Sequence, residues 1–195
     1  MTVWSIGHST RSLTGFVDLL NACGVEQVAD IRTVPKSRRH PHFHTDALAL
    51  SLSRAGIAYV HLPRLGGFRR PAESPDNAAW RNRSFRAYAD YALTEEFAVG
   101  LSQLRALAST KPTAMMCSEL LWWRCHRRLI ADRLLLAGEK VCHVAALGRS
   151  SWHELTPFAQ VGPDGHVTYP ATDRRASGGR AGPARSTSRA GRTAP

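Results

Sequence analysis

Short apolar runs alternate with helically spaced apolar positions along most of the chain. Val3-Trp4-Ser5-Ile6 reads as a strand that ends at Gly7-His8-Ser9. Leu13, Phe16, Leu19 and Leu20 recur on one helix face, and Cys23-Gly24 closes that helix. Val25 to Ile31 is a second apolar run. Thr45 is the expected cap of a helix carrying Leu48, Leu50 and Leu52, with a stop at Gly56. Ile57 to Leu62 gives a third strand, followed by Pro63 and Gly66-Gly67. A helical pattern runs from about Ser84 to Ser109, with a break near Thr94. Thr113 to Cys117, a helix from Cys125 to Ala137 stopped by Gly138, and Val141 to Val144 complete the series.

Strand and helix in strict alternation, joined by short turns, predict a parallel sheet buried on both faces. Right-handed crossovers then make an α/β, three-layer Rossmann-like fold with a mainly parallel sheet of about five strands. At 195 residues the chain is too short for an eight-stranded barrel of about 250 residues. The expected organisation is one α/β domain over 1–149, an appendage over 150–170 with a turn at Pro163-Asp164-Gly165, and a tail over 171–195. That tail has no aliphatic residue larger than alanine and is expected to be disordered.

Charge adds a hint about partners. The net charge is +11, and the tail alone has six arginines against one acid, Asp173. A cationic surface favours an anionic substrate, with DNA or RNA as candidates. No run approaches the roughly 20 apolar residues of a membrane span, and no membrane partner is expected. Cys23, Cys117, Cys125 and Cys142 are too scattered for a disulfide scaffold, and they read as reduced thiols of a cytoplasmic protein. Neither a Gly-x-Gly-x-x-Gly turn after the first strand nor a Walker lysine loop occurs, so no nucleotide cofactor is expected.

In an open parallel sheet, ligands bind beyond the carboxyl ends of the strands. The residues placed there are His8 and Ser9, then Asp30, Arg32 and Ser37, then Gly66 and Gly67, then Cys117 and Glu119, with Cys125-His126-Arg127 opening the next helix. A thiol at a helix N-terminus beside His and Arg is readily ionised, which makes Cys125 a candidate nucleophile with His126 or His8 as base. The bland alternative is a buried Cys125 and a structural Arg127. Glu119 suits a general acid, base or ligand anchor, and equally an ion pair with Arg32 or Arg127. Asp30 and Arg32 point the same way along a strand, as a rim pair or as a salt bridge that fixes a loop. Cys23 and Cys142 fall at packing positions. The spacing Cys117-x7-Cys125-His126 lacks paired Cys-x2-Cys knuckles, so no metal is expected. Phe43, Phe68, Trp80, Trp122 and Trp123 are candidate stacking surfaces among the basic loops.

Ile6-Gly7-His8-Ser9, Asp30-x-Arg32-x-x-Pro35-x-Ser37, Leu65-Gly66-Gly67, Cys117-x-Glu119 and Cys125-His126-Arg127 together resemble domain-of-unknown-function family 488 (DUF 488). The resemblance covers about residues 3 to 147, with five motifs in order. It implies an α/β domain with a polar cleft and assigns no reaction.

The reading is therefore an enzyme acting on a nucleobase, nucleotide or nucleic acid. Its expected catalytic residues are Cys125, Glu119, His126, His8 and Cys117; Ser9, Asp30, Arg32, Ser37, Gly66, Gly67 and Arg127 are expected to bind substrate. The alternatives are a non-catalytic nucleic-acid-binding module driven by the arginine-rich loops and tail, and a metal-binding or redox domain. Because the tail cannot contribute to a core, truncation after Pro170 is expected to leave the melting temperature nearly unchanged. A fall of more than about 5 °C in a thermal melt, a loss above about 1 kcal/mol, would refute this.

Overall fold

A computed structural model describes residues 1–36, 39–70, 74–163 and 165–171. The expected tail lies outside the described residues apart from Ala171, and so does Ser37. The order is β1 (Thr2–Gly7), α1 (Leu13–Ala22), β2 (Gln27–Asp30), α2 (Thr45–Arg54), β3 (Ala58–His61), α3 (Arg83–Tyr91), α4 (Glu95–Thr110), β4 (Thr113–Cys117), α5 (Arg127–Leu136), β5 (Lys140–Ala146) and β6 (Arg149–Trp152). A two-stranded hairpin, β7 (Gln160–Val161) and β8 (Val167–Thr168), follows. The central sheet runs β3-β2-β4-β1-β5-β6, parallel except for β6 on β5. The fold is α/β, Rossmann-like and three-layered. No helix among the described residues is long and apolar enough to cross a membrane.

Period-two alternation sorts the strand side chains onto two helix layers. Ile6, Val28, Ala114 and Met116 face α1 and α2, where Phe16, Leu19, Leu20, Leu48 and Leu52 are buried. Val3, Ala29, Met115 and Val141 face Tyr88, Phe97, Leu104, Leu129 and Leu134 of α3, α4 and α5. Cys142 is buried in the first layer, and Cys23 packs against it, as their positions suggested.

Local chemistry sets the helix ends. Thr94 accepts a hydrogen bond from the Phe97 N–H and starts α4, with Glu95 and Glu96 at the positive end of its dipole. That cap divides the long helical pattern into two. Thr45 is not the cap of α2: His44 holds that position, without a side-chain hydrogen bond to the first turn of the helix. Gly138, at φ +84°, provides the left-handed turn that releases α5 into β5.

The segment that follows β5 is exposed along much of its length but anchored to the core. It includes β6, and Val167 and Tyr169 are buried against Trp80 and α5. Buried Asp132 on α5 holds this segment. Its Oδ1 accepts from the Thr156 N–H and from His153 Nε2, and its Oδ2 accepts from the Tyr169 hydroxyl at 2.7 Å. With its Nε2 proton on Asp132, His153 offers a bare Nδ1 to His143 Nε2 at 3.0 Å. Helix α5 is thus fastened to the chain that follows it. Replacing Asp132 by Ala strands three donors, two of them side chains. It should lower unfolding stability by at least about 2 kcal/mol in urea titrations. A loss below about 0.5 kcal/mol would show that the segment docks without this carboxylate.

Candidate active site at the carboxyl edge of the sheet

A cleft of about 800 Å³ opens beyond the ends of β1, β2 and β4. Its floor exists because β1 and β4 stay paired past their last residues. The His8 N–H donates to the Cys117 carbonyl and the Ser9 N–H to the Ser118 carbonyl. Gly7 permits this approach, since a Cβ there would meet the Glu119 carbonyl oxygen at 2.0 Å. Ser9, with φ 50°, is the only non-glycine among the described residues in the left-handed region. Strain of this kind concentrates at functional loops.

On the floor, two sulfurs and an imidazole meet. One ligand-capable atom each from Cys117, Cys125 and His126 lie within 4.8 Å of one another. Cys125 Sγ lies 3.6 Å from His126 Nδ1 and accepts from Arg127 Nε at 3.4 Å. His126 Nε2 donates to the Ile31 carbonyl at 3.2 Å, so its Nδ1 is the bare nitrogen facing sulfur. Burial opposes ionisation of Cys125, but a hydrogen bond from Cys117 and the Arg127 guanidinium outweigh it and bring the thiol down to about 6. The same hydrogen bond, with burial, pushes Cys117 well above the usual thiol range. The pair thus favours the thiolate at Cys125, with the Cys117 thiol as its hydrogen-bond donor. Burial also keeps His126 below the ordinary imidazole range.

A second polar unit forms the cationic wall. Fully buried Asp30 takes Arg32 through Nε and Nη2, receives the Arg32 N–H on Oδ1, and accepts from the Tyr59 hydroxyl at 2.7 Å. The guanidinium turns Nη1 toward His8 Nε2 at 3.3 Å. His8 Nδ1 donates to the Ser9 carbonyl and its ring stacks on Phe43 at 4.0 Å. Burial, then Arg32, lower His8 to about 4. Both its nitrogens are engaged, so His8 orients Arg32 and is not a free base. Lys36, Arg70 and Arg124 add positive charge to the walls.

The cleft brings together His8, Ser9, Arg32, Gly67, Cys117, Glu119, Cys125 and His126. Four expectations change. Asp30 lies beneath the cleft, where it holds Arg32. Gly66 faces Thr33, not the cavity. Arg127 is buried under the floor, bonded to Ser5 Oγ and to the Glu119 and Leu120 carbonyls. Cys125 lies just before the first turn of α5: it closes the turn Trp122–Arg124, with His126 as the helix cap, and its sulfur receives the Arg127 backbone N–H of that first turn as well as the Cys117 and Arg127 side chains. Glu119 is exposed on the rim, with Oε1 accepting from the Leu121 N–H. Of the aromatics, Phe43 and Trp80 are core and Trp122 stacks on His143; Phe68 and Trp123 are exposed, by 83 % and 49 %. Tyr88 and Phe85 line the cleft unforeseen, because helix periodicity marks them only as core-facing.

Comparison with known families matches residues 12–134 to the family described as domain of unknown function DUF488. No curated protein and no solved structure matches the chain.

The shared proton has a measurable sign. In metal-free protein, Cys125 should be protonated and slow to alkylate below about pH 6 and fast above it, whereas a free thiol turns over near about 8.5. Cys117→Ala removes the donated hydrogen bond and should move the midpoint upward. Iodoacetamide rates read by peptide mapping test both, and a midpoint near that of an ordinary thiol would remove the thiolate from the site.

Proposed function

The chain belongs to the DUF488 family, whose description assigns no reaction, and we propose that it is an enzyme acting on a nucleobase, nucleotide or nucleic acid held in this cleft. The carrying observation is the meeting of the Cys117 and Cys125 sulfurs and the His126 imidazole on the floor of a cationic cavity large enough for such a ligand. Arg32, preset by Asp30 and His8, receives an anionic group of the substrate. Cys125 provides the negative sulfur at the reacting centre, and Glu119, on the same rim and open to solvent, moves the proton. The buried surroundings of the sulfur strengthen each of these interactions relative to water.

One observation favours the binding-module reading: Phe68 stands exposed beside Arg69 and Arg70, an arrangement suited to stacking a base beside a phosphate. The two readings part on chemistry. A panel of nucleosides, nucleotides and short single strands, followed by mass spectrometry, should reveal turnover of one class. Glu119→Gln and Cys125→Ser should reduce that turnover by about 100-fold or more with little change in melting temperature. Salt-sensitive binding that survives both substitutions, with no turnover by the unaltered protein, would establish the binding module instead.

A further inference from the structure

We propose that Cys117 Sγ, Cys125 Sγ and His126 Nδ1 form a three-ligand site for a soft divalent cation, zinc foremost, with its fourth position open to the cleft. This inference deepens the reading above, since it rests on the cleft being the reacting site. It also reverses the expectation of no metal, which was drawn from spacing along the chain. The ligands come from two separate elements, the end of β4 and the turn before α5, and only the fold brings them together.

The geometry is that of a tetrahedral edge. Zinc–sulfur bonds of about 2.3 Å and zinc–nitrogen bonds of about 2.05 Å at the tetrahedral angle put S and N about 3.6 Å apart. Cys125 Sγ and His126 Nδ1 are 3.6 Å apart. All three ligand atoms fall within 4.8 Å, so Cys117 needs only a small side-chain adjustment to close the set. The surroundings are also those of a ligand sphere. His126 donates its other ring N–H to the Ile31 carbonyl, which fixes the ring and leaves the lone pair of Nδ1 available. Gly67 lets its backbone pack close against the ring, for a Cβ there would lie 2.5 Å from Nδ1 and 2.9 Å from Cε1. Arg127 Nε points at the Cys125 sulfur, an outer contact that suits a thiolate in either state.

Three protein ligands with an open position are the pattern of a catalytic zinc, and four closed ligands that of a structural one. Binding displaces to solvent the proton that Cys117 holds against the Cys125 sulfur, and two thiolates with a neutral imidazole leave the site uncharged. No electron transfer is involved. The fourth position would take a water or a substrate oxygen, with the Glu119 carboxylate on the adjoining rim to accept the water proton.

The test uses the full chain, reduced, stripped with a chelator, and reloaded with zinc chloride or cobalt chloride alone. About one equivalent of zinc should survive dialysis, and cobalt should give the sulfur-to-cobalt charge-transfer band and intense visible bands of a tetrahedral site. Cys117→Ser and His126→Gln should each lower retained zinc below about a tenth of an equivalent, while Cys142→Ser should retain it. If the variants fail to fold, protection of Cys117 and Cys125 from iodoacetamide by zinc in the unaltered protein decides the matter. Absence of the charge-transfer band, together with alkylation unaffected by zinc, overturns the proposal. Turnover without metal would then leave the enzyme reading standing. Tight zinc without turnover of any nucleotide class would leave the metal site and remove that reading.

Discussion

The guanidinium of Arg127 is almost wholly buried and ties β1 to the loop and turn that join β4 to α5. It touches Cys125 Sγ at the start of α5, Ser5 Oγ on β1, and the carbonyls of Glu119 and Leu120 in the loop after β4. Taking an arginine out of water costs several kcal/mol unless charge and hydrogen bonds replace the solvent. Here a sulfur inclined to ionise and two backbone carbonyls replace it. Arg127 favours the thiolate form of Cys125, and that thiolate in turn compensates the buried cation. The loop over residues 118–121 is held by the same contacts, so the cleft floor and its reactive group are stabilised together.

The wall of the cleft repeats this arrangement with different partners. Asp30 sits fully buried at the end of β2 and accepts from Arg32 and Tyr59, while His8 and the His61 imidazole on the Arg32 carbonyl hold the other sides. The Nε and Nη2 donors of Arg32 are spent on Asp30, which fixes the plane of the guanidinium before any ligand arrives. A preset cation binds an anion with less loss of side-chain entropy than a free one. Arg32 and Cys125 are thus each backed by a buried charged partner, Asp30 and Arg127, that does not itself line the cleft.

Behind α5, the chain from Tyr169 through Asp132 and His153 to His143 locks the carboxyl-terminal segment onto the sheet. Because the reactive cysteine lies at the amino end of the same helix, that lock also restrains the site. Trp122, in the turn that carries Cys125, stacks flat on His143 at 3.9 Å. The reactive turn thus leans on the far end of the buried histidine chain.

Much of this was legible in the sequence, because strand and helix periods are local and each apolar run reports its own burial. Alternation gave five parallel strands, and the rule that ligands gather at the carboxyl ends placed His8, Arg32, Cys117, Glu119, Cys125 and His126 on one rim. Local pattern could not reveal β6, whose residues Arg149–Trp152 are all exposed and carry no apolar alternation. Nor could it separate Asp30 from Arg32, since two residues on one strand face differ only in depth, and depth is set by neighbours such as Tyr59 and His8. What favours the Cys125 thiolate was only partly legible: position along the chain pointed to the start of α5 and to Arg127, while the fold alone brings the Cys117 thiol to the Cys125 sulfur. Spacing argued against metal ligands for the same reason. It measures separation along the chain, and the approach of Cys117 to Cys125 and His126 depends on β4 and α5 meeting through the packed core beneath them.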